Sequence, residues 1–123
     1  MKELTKAEEE IMQVLWSLEK ASIKDVIACM KEPKPAYNTV STIVRILERK
    51  EFVGHSPKGR GFIYFPLVEK EAYSKQSLDK IVGNYFQGSL SSMVSFFVKS
   101  NEMKTGELDE IMQIIEASKN KEQ

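Results

Sequence analysis

The segment from Tyr37 to Lys50 predicts a helix with one polar face, and the residues assigned to that face include no carboxylate. At the about 100° per residue of an α-helix, one side of this segment carries amide, hydroxyl and guanidinium groups, from Asn38, Ser41, Thr42, Arg45 and Arg49. Such groups hydrogen-bond to base edges and phosphates in a DNA major groove. The segment therefore predicts a recognition helix. The predicted DNA-binding residues are these five together with Thr39 and Lys50. A solvated polar face that happens to lack acid is the alternative.

The other side of the same segment is apolar and predicts a helix packed on a core. It carries Val40, Ile43, Val44 and Leu47, at the spacing of one helical face. Two helices are expected before it. Thr5 and Glu8 have the spacing of a capping box, and Ser22 opens a second helix through about Lys31. Prolines then stop the helix, because proline lacks an amide donor. Trp16 is interpreted as a core anchor.

After Lys50 the pattern changes from helix to strand. Segments 52–56 and 62–65 are rich in aromatic and β-branched residues, and a glycine-bearing turn, Pro57 to Gly61, lies between them. The predicted β-hairpin presents Lys58 and Arg60 at its tip, where two cations could hold the phosphate backbone. A solvated basic turn is the alternative. Three helices followed by a hairpin is the order of a winged helix-turn-helix.

The charge balance is neutral over the chain but basic in this region. Lys+Arg and Asp+Glu both number 18, whereas residues 34–66 carry six cations and two glutamates. Because the chain as a whole has no net charge, a second hypothesis is that it is a winged-helix protein-interaction module that binds no DNA. An enzyme is not expected, because the lone Cys29 and the lone His55 lie on different elements and no catalytic, phosphate-cradling or metal-ligating motif is present. We predict no metal and no cofactor.

Cellular location is predicted from cysteine usage and hydropathy. A single cysteine excludes an internal disulfide and suits a reducing compartment. No apolar run approaches the roughly 20 residues that span a bilayer, and the N-terminal residues have no signal-peptide pattern. We expect a cytoplasmic protein without direct membrane insertion.

Three segments carry a family resemblance. Leu4 to Trp16, Asn38 to Lys50 with its Thr39-Val-x-Thr42 pattern, and Lys58 to Pro66 resemble the BlaI/MecI penicillinase-repressor family of bacterial transcription regulators. The resemblance implies a mainly α fold with a small β-hairpin, built from a winged helix-turn-helix domain and a C-terminal helical dimerisation domain. It also implies a homodimeric repressor that binds an inverted-repeat operator in double-stranded DNA. Glu51 departs from the family pattern, which commonly has glycine at the end of the helix.

The domain boundary is predicted where the composition changes, giving a DNA-binding domain at 1–68 and a helical dimerisation domain at 69–123. Three amphipathic helices are expected in the second domain. They are too apolar to bury their side chains alone, so a second copy is the expected partner. The candidate dimerisation residues are Tyr85, Phe86, Met93, Phe96, Phe97, Ile111 and Ile115. Folding of this tail back onto the first domain is the alternative.

The resemblance further implies a mode of induction. In the family, a membrane sensor protease pathway leads to cleavage in the second helix of the C-terminal domain. The equivalent stretch here is Val94 to Val98, with Phe96-Phe97 as the candidate bond. Copper-responsive relatives carry paired cysteines near the C-terminus, and this chain has no cysteine after Cys29.

Overall fold

Six helices and one hairpin form the computed structural model, which describes residues 2–100 and 103–122, with side chains up to Lys119. The elements are α1 (Lys6–Leu18), α2 (Ile23–Ala28), α3 (Tyr37–Arg49), β1 (Val53–Lys58), β2 (Gly61–Pro66), α4 (Lys70–Tyr85), α5 (Leu90–Lys99) and α6 (Thr105–Glu122). The chain divides into two units, Met1–Gln76 and Ser77–Gln123. The predicted domain boundary after residue 68 stays a prediction.

Helix α1 begins where the capping-box pattern predicts. The Thr5 hydroxyl accepts a hydrogen bond from the Glu8 amide at 3.2 Å, and the Glu8 carboxylate accepts one from the Thr5 amide at 2.8 Å. Both bonds satisfy amides that a helix start leaves without partners. The helix then buries Ile11, Met12 and Leu15 completely, so its register is set by the core of the first unit.

Helix α2 has the predicted start but ends earlier than predicted. Ser22 and Asp25 form a second capping box, whereas the helix stops at Ala28 instead of continuing to about Lys31. Its end is capped by a residue from beyond the turn. The Lys34 ammonium donates to the carbonyls of Ile27, Ala28 and Met30 at 2.8 to 3.2 Å. A cation there satisfies unpaired carbonyls and opposes the helix dipole.

Helix α3 has the two-sided character predicted for it. Val40, Val44 and Leu47 are fully buried, and Ile43 packs at the edge of the same core. The helix ends at Arg49, and Glu51 follows with φ of 65°. That left-handed conformation favours glycine, the residue that the resembled family commonly has there.

The wing is an antiparallel hairpin with a shorter turn than predicted. Pairing runs from Val53 opposite Pro66 to Lys58 opposite Gly61, so only residues 59–60 form the turn. Gly59 has φ of 60°, as tight hairpin turns require. A third segment joins the sheet at one residue, because Ala21 exchanges two backbone hydrogen bonds with Tyr64. The sequence did not predict this bridge.

Aromatic side chains hold the start of α4 against the rest of the first unit. Phe52 is fully buried and meets Tyr73 edge to face, with ring centroids 5.6 Å apart. The Tyr73 hydroxyl accepts from the Leu4 amide at 3.0 Å. The Trp16 indole donates to the Val68 carbonyl at 2.8 Å. Trp16 is therefore a hydrogen-bonded, half-buried residue at the edge of the predicted core.

The second unit consists of helices whose apolar side chains are mostly exposed. Val82 is its buried hydrophobic residue within the described part of the chain. Phe86 and Phe96 contact edge to face at 5.7 Å between centroids, and Phe96 and Phe97 at 5.8 Å. None of the helices formed by the described residues combines the length and apolar content needed to cross a bilayer.

The left-handed Glu51 gives a test of backbone strain. A left-handed conformation costs a side-chain-bearing residue roughly 1–2 kcal/mol, and the larger unfolded-state freedom of glycine offsets part of the gain. We expect Glu51→Gly to raise the free energy of unfolding by about 1 kcal/mol, a rise of roughly 4–8 °C in Tm for a small domain. Glu51→Ala removes the same charge and keeps the strain, so it should show no such rise in thermal denaturation. Equal Tm values for the two variants would contradict the strain.

Candidate nucleic-acid interface

A groove of about 750 Å³ runs between α3, the start of α2 and the hairpin. Five of the predicted DNA-binding residues line it together, namely Asn38, Ser41, Arg45, Lys58 and Arg60. The first three follow the three- and four-residue spacing of one helical face. The other two come from the end of β1 and from the turn. The fold thus brings the predicted helix face and the predicted wing cations to one concave surface.

The remaining predicted residues lie outside the lining of this groove. Thr39, Thr42 and Arg49 are exposed on α3. Lys50 is different, because its Nζ lies 2.6 Å from Oε1 of Glu8 and also donates to the Glu3 carbonyl at 3.2 Å. Its charge is matched by the α1 carboxylate, and this geometry gives no support to the phosphate contact predicted for Lys50.

The groove is not free of carboxylates, contrary to the sequence interpretation of the α3 face. Glu48 and Asp25 both line it. Glu48 follows Ser41 by seven residues and Arg45 by three, a spacing that places it on the same helical face. Oε2 of Glu48 lies 2.5 Å from Nδ1 of His55 on β1. The helical spacing of Glu48 is the sequence signal that indicates this position.

Further residues that the sequence did not single out as DNA-binding complete the lining. Lys24 from α2 and Tyr37 from the first turn of α3 both face the groove, and Tyr37 is 51% exposed. With these residues the groove holds four lysine and arginine side chains against two carboxylates. The groove is therefore cationic even though the chain is neutral, which suits a polyanionic ligand.

Two titratable groups of the groove have shifted pKa values. Hydrogen bonds from the backbone and hydroxyl of Ser22 hold the pKa of Asp25 below its ordinary value. The Asp25 carboxylate is therefore hydrogen-bonded at the start of α2. Burial, and then the charge of Glu48, raises the pKa of Tyr64 above its ordinary value. Tyr64 is therefore a neutral wall of the groove at physiological pH.

Together, the three helices, the hairpin wing and the cationic groove along α3 define a winged helix-turn-helix DNA-binding protein. The comparisons with known proteins identify the group within this class. The chain belongs to the penicillinase repressor family, whose model matches residues 4–117. The family resemblance and the winged-helix fold inferred from the sequence are thereby confirmed.

Two similar sequences match this chain over nearly its full length. The penicillinase repressor of Bacillus licheniformis is 27% identical over 97% of this chain and 94% of its own length. The methicillin resistance regulatory protein MecI of Staphylococcus aureus strain N315 is 25% identical over 92% of this chain and 93% of its own. Among solved structures, the DNA-binding domain of the repressor BlaI superposes with a TM-score of 0.51 at 27% identity, covering 59% of this chain and 94% of that domain.

The Glu8–Lys50 pair gives the first unit an acid-sensitive contribution to stability. Burial by itself raises the pKa of Glu8, but hydrogen bonds from Lys50 and Thr5 outweigh burial and hold the pKa below its ordinary value. A carboxyl with a lowered folded-state pKa stabilises the fold above its unfolded-state pKa of about 4.3, and that stabilisation is lost as the pH falls through the folded-state value. Glu8 is 4% exposed and the Lys50 side chain is 22% exposed, so solvent screens the pair only in part.

We expect Glu8→Gln to lower the free energy of unfolding at pH 7 by about 2 kcal/mol, the scale of a charged hydrogen bond. Glutamine can keep the capping box, so the change isolates the charge. Urea denaturation at pH 7 and pH 3 should show the deficit shrinking in acid. Glu9→Gln, on the neighbouring exposed residue, should change little at either pH. A deficit of equal size at both pH values would contradict the charge-based explanation.

Proposed function

We propose that the protein is a homodimeric transcriptional repressor that binds an inverted-repeat operator in double-stranded DNA. In this proposal α3 enters the major groove and the hairpin turn lies on the phosphate backbone. The observation that carries it is the single cationic groove formed by the polar face of α3 and the wing. Membership of the penicillinase repressor family supports it.

Base recognition is assigned to the side of α3 that faces solvent. Asn38, Ser41 and Arg45 line the groove, and Thr39 and Thr42 are exposed on the same helix. Amides pair with adenine, arginine pairs with guanine, and hydroxyls serve either base. Arg45 is the residue to which we assign the largest share of specificity, since a bidentate guanidinium contact discriminates by about 1–3 kcal/mol.

Phosphate contacts are assigned to exposed cations at both edges of this face. Lys58 and Arg60 come from the wing, and Arg49 lies near the end of α3. Phosphate contacts fix register and orientation, and they carry no direct sequence information. Lys50 was predicted to contact phosphate, but we assign it to the ion pair with Glu8 that joins the end of α3 to the start of α1.

Dimerisation is assigned to the second unit because most of its apolar side chains are exposed. Of the predicted dimerisation residues, Tyr85, Phe96, Phe97 and Ile115 are exposed, and Phe86, Met93 and Ile111 are half-buried. Clustered apolar surface of this kind marks an interface in a protein dissolved in water. Two copies would present two α3 helices to two half-sites, so that a modest number of cations per copy is doubled.

Induction by proteolysis stays a proposal that rests on family membership. Phe96 and Phe97 lie within α5, and they are 57% and 39% exposed. A protease that requires an extended substrate would have to unwind this helix. We expect mass spectrometry to detect a fragment ending at Phe96 in cells that also produce a membrane sensor protease. A chain that stays intact under inducing conditions would exclude induction by cleavage at this bond.

We propose no catalytic activity and no cofactor, which is consistent with a family named for repression. The expected place of action is the cytoplasm, because a repressor must reach chromosomal DNA. Assays of the purified protein for hydrolysis of DNA and of nucleotides would test the first statement. Turnover that follows the protein through purification would contradict it.

The wing can be tested through the salt dependence of binding. A duplex selected from a random pool serves as the operator, and an unrelated duplex of equal length serves as the reference. If Lys58 and Arg60 each neutralise a phosphate, Lys58→Ala/Arg60→Ala should lower the slope of log affinity against log salt by about 2. Affinity for the selected and the unrelated duplex should fall to a similar degree, because phosphate contacts are independent of sequence.

The matched control is Lys70→Ala/Lys104→Ala, which removes two exposed lysines that do not line the groove and should leave the slope unchanged. Arg45→Ala provides the contrast, since it should weaken the selected duplex by about 1–3 kcal/mol and relax sequence preference at one base pair. A double wing variant with the wild-type slope would exclude the wing from the interface.

The dimer can be tested on α6. Ile115 is 48% exposed, and Ile115→Glu would place a charge in an apolar contact, at a cost of several kcal/mol if the residue is buried between copies. Sedimentation equilibrium should then show a dissociation constant raised by at least about a hundredfold. Gln113→Glu adds the same charge at an exposed polar position of the same helix and should leave the dimer intact. Equal association of the two variants would exclude Ile115 from the interface.

A further inference from the structure

One side-chain contact links the recognition helix to the wing across the groove. Oε2 of Glu48 on α3 lies 2.5 Å from Nδ1 of His55 on β1. The imidazole ring also meets the ring of Phe62 edge to face, with centroids 5.0 Å apart, and lies 5.9 Å from that of Tyr64. The His55 side chain is 44% exposed and that of Glu48 is 25% exposed. Both groups are held in place and remain open to a ligand in the groove.

The position of Glu48 opposes the use of this surface for DNA. A carboxylate beside incoming phosphates repels them at any sequence, and the repulsion is larger in a groove with low-dielectric walls than in open solvent. A protonated His55 would cancel that charge, whereas a neutral His55 would leave it in place. The net charge that DNA meets therefore depends on one proton.

We propose that Glu48 and His55 form a proton-dependent specificity pair in the DNA-binding groove. His55 is a positioning residue that holds the Glu48 carboxylate toward the base edges and takes up a proton when DNA binds. Glu48 then accepts a hydrogen bond from a base amino group, as acidic side chains do from cytosine, and penalises duplexes that offer no such donor. This inference rests on the proposed function.

Other charged and titratable groups line the groove together with His55. The cations are Arg45 on α3, Lys58 on β1, Arg60 in the turn and Lys24 on α2. The lowered pKa of Asp25 keeps its carboxylate ionised, and the raised pKa of Tyr64 keeps its hydroxyl neutral. Histidine is the side chain whose charge ordinarily changes between pH 6 and pH 8, and the chain has one.

The direction of the pH effect on affinity follows from the coupling between DNA binding and proton uptake. A polyanion favours the protonated form of His55, so binding should take up a proton and affinity should fall as the pH rises. One linked proton changes affinity at most about tenfold per pH unit. We expect the selected duplex to bind about fivefold more weakly at pH 8 than at pH 6.

The experiment measures affinity for the selected and the unrelated duplex at pH 6, 7 and 8 at constant ionic strength. His55→Asn keeps a neutral donor at the position of Nδ1, so it should still bind and should lose the pH dependence. Glu48→Gln removes the carboxylate and should raise affinity for the unrelated duplex at pH 8 by about threefold to tenfold, an electrostatic effect of the size given by a neighbouring charge. Glu51→Gln makes the same charge change outside the groove lining and should leave that affinity near wild type.

The outcomes separate this inference from the function on which it rests. Wild-type protein that binds no duplex at any pH would overturn both. Binding whose pH dependence is absent, or is retained in His55→Asn, would overturn the proton linkage and leave the repressor function standing. A Glu48→Gln variant that behaves like Glu51→Gln would overturn the role of the carboxylate in specificity.

Discussion

The burial of one side of α3 is the constraint on which the cationic groove depends. Val40, Val44 and Leu47 are inaccessible to solvent, and full burial of such side chains contributes about 1.5–3 kcal/mol each. Because a helix is rigid, fixing these three side chains also fixes the direction of the opposite face. The Glu8–Lys50 pair adds a polar contact at the end of the helix. The angle at which α3 presents its polar residues is therefore determined by the core, and the polar residues themselves need not contribute to stability.

The cations of the chain serve two different purposes, which explains how a neutral protein can offer a cationic surface. Lys34 caps α2 and Lys50 pairs with Glu8, so both are used within the fold. Lys24, Arg45, Lys58 and Arg60 line the groove. The total charge gives no indication of this division. A polyanion interacts with the local excess of positive charge in the groove. Self-association would present two such grooves to the same ligand.

Local signals in the sequence were sufficient for the elements and insufficient for the contacts between them. The capping box at Thr5, the two-sided pattern of α3 and the glycine turn of the hairpin each depend on neighbours within a few residues, and the structure has all three. The Ala21–Tyr64 bridge and the Lys50–Glu8 pair join residues about forty apart, where periodicity carries no information. Glu48 shows a third case. Its place on the polar face follows from helical spacing, but its partner on the wing could be known only once the hairpin was placed beside α3.

The lone tryptophan gives the molecule a built-in optical reporter. Trp16 is the sole indole in the chain, its nitrogen is held by the Val68 carbonyl, and its ring lies 6.1 Å from that of Tyr73. It does not line the groove, so a bound duplex would not stack on it. Its emission should report the packing of the first turns of α4 against the rest of the first unit. Unfolding of that unit can therefore be monitored by fluorescence even in the presence of nucleic acid.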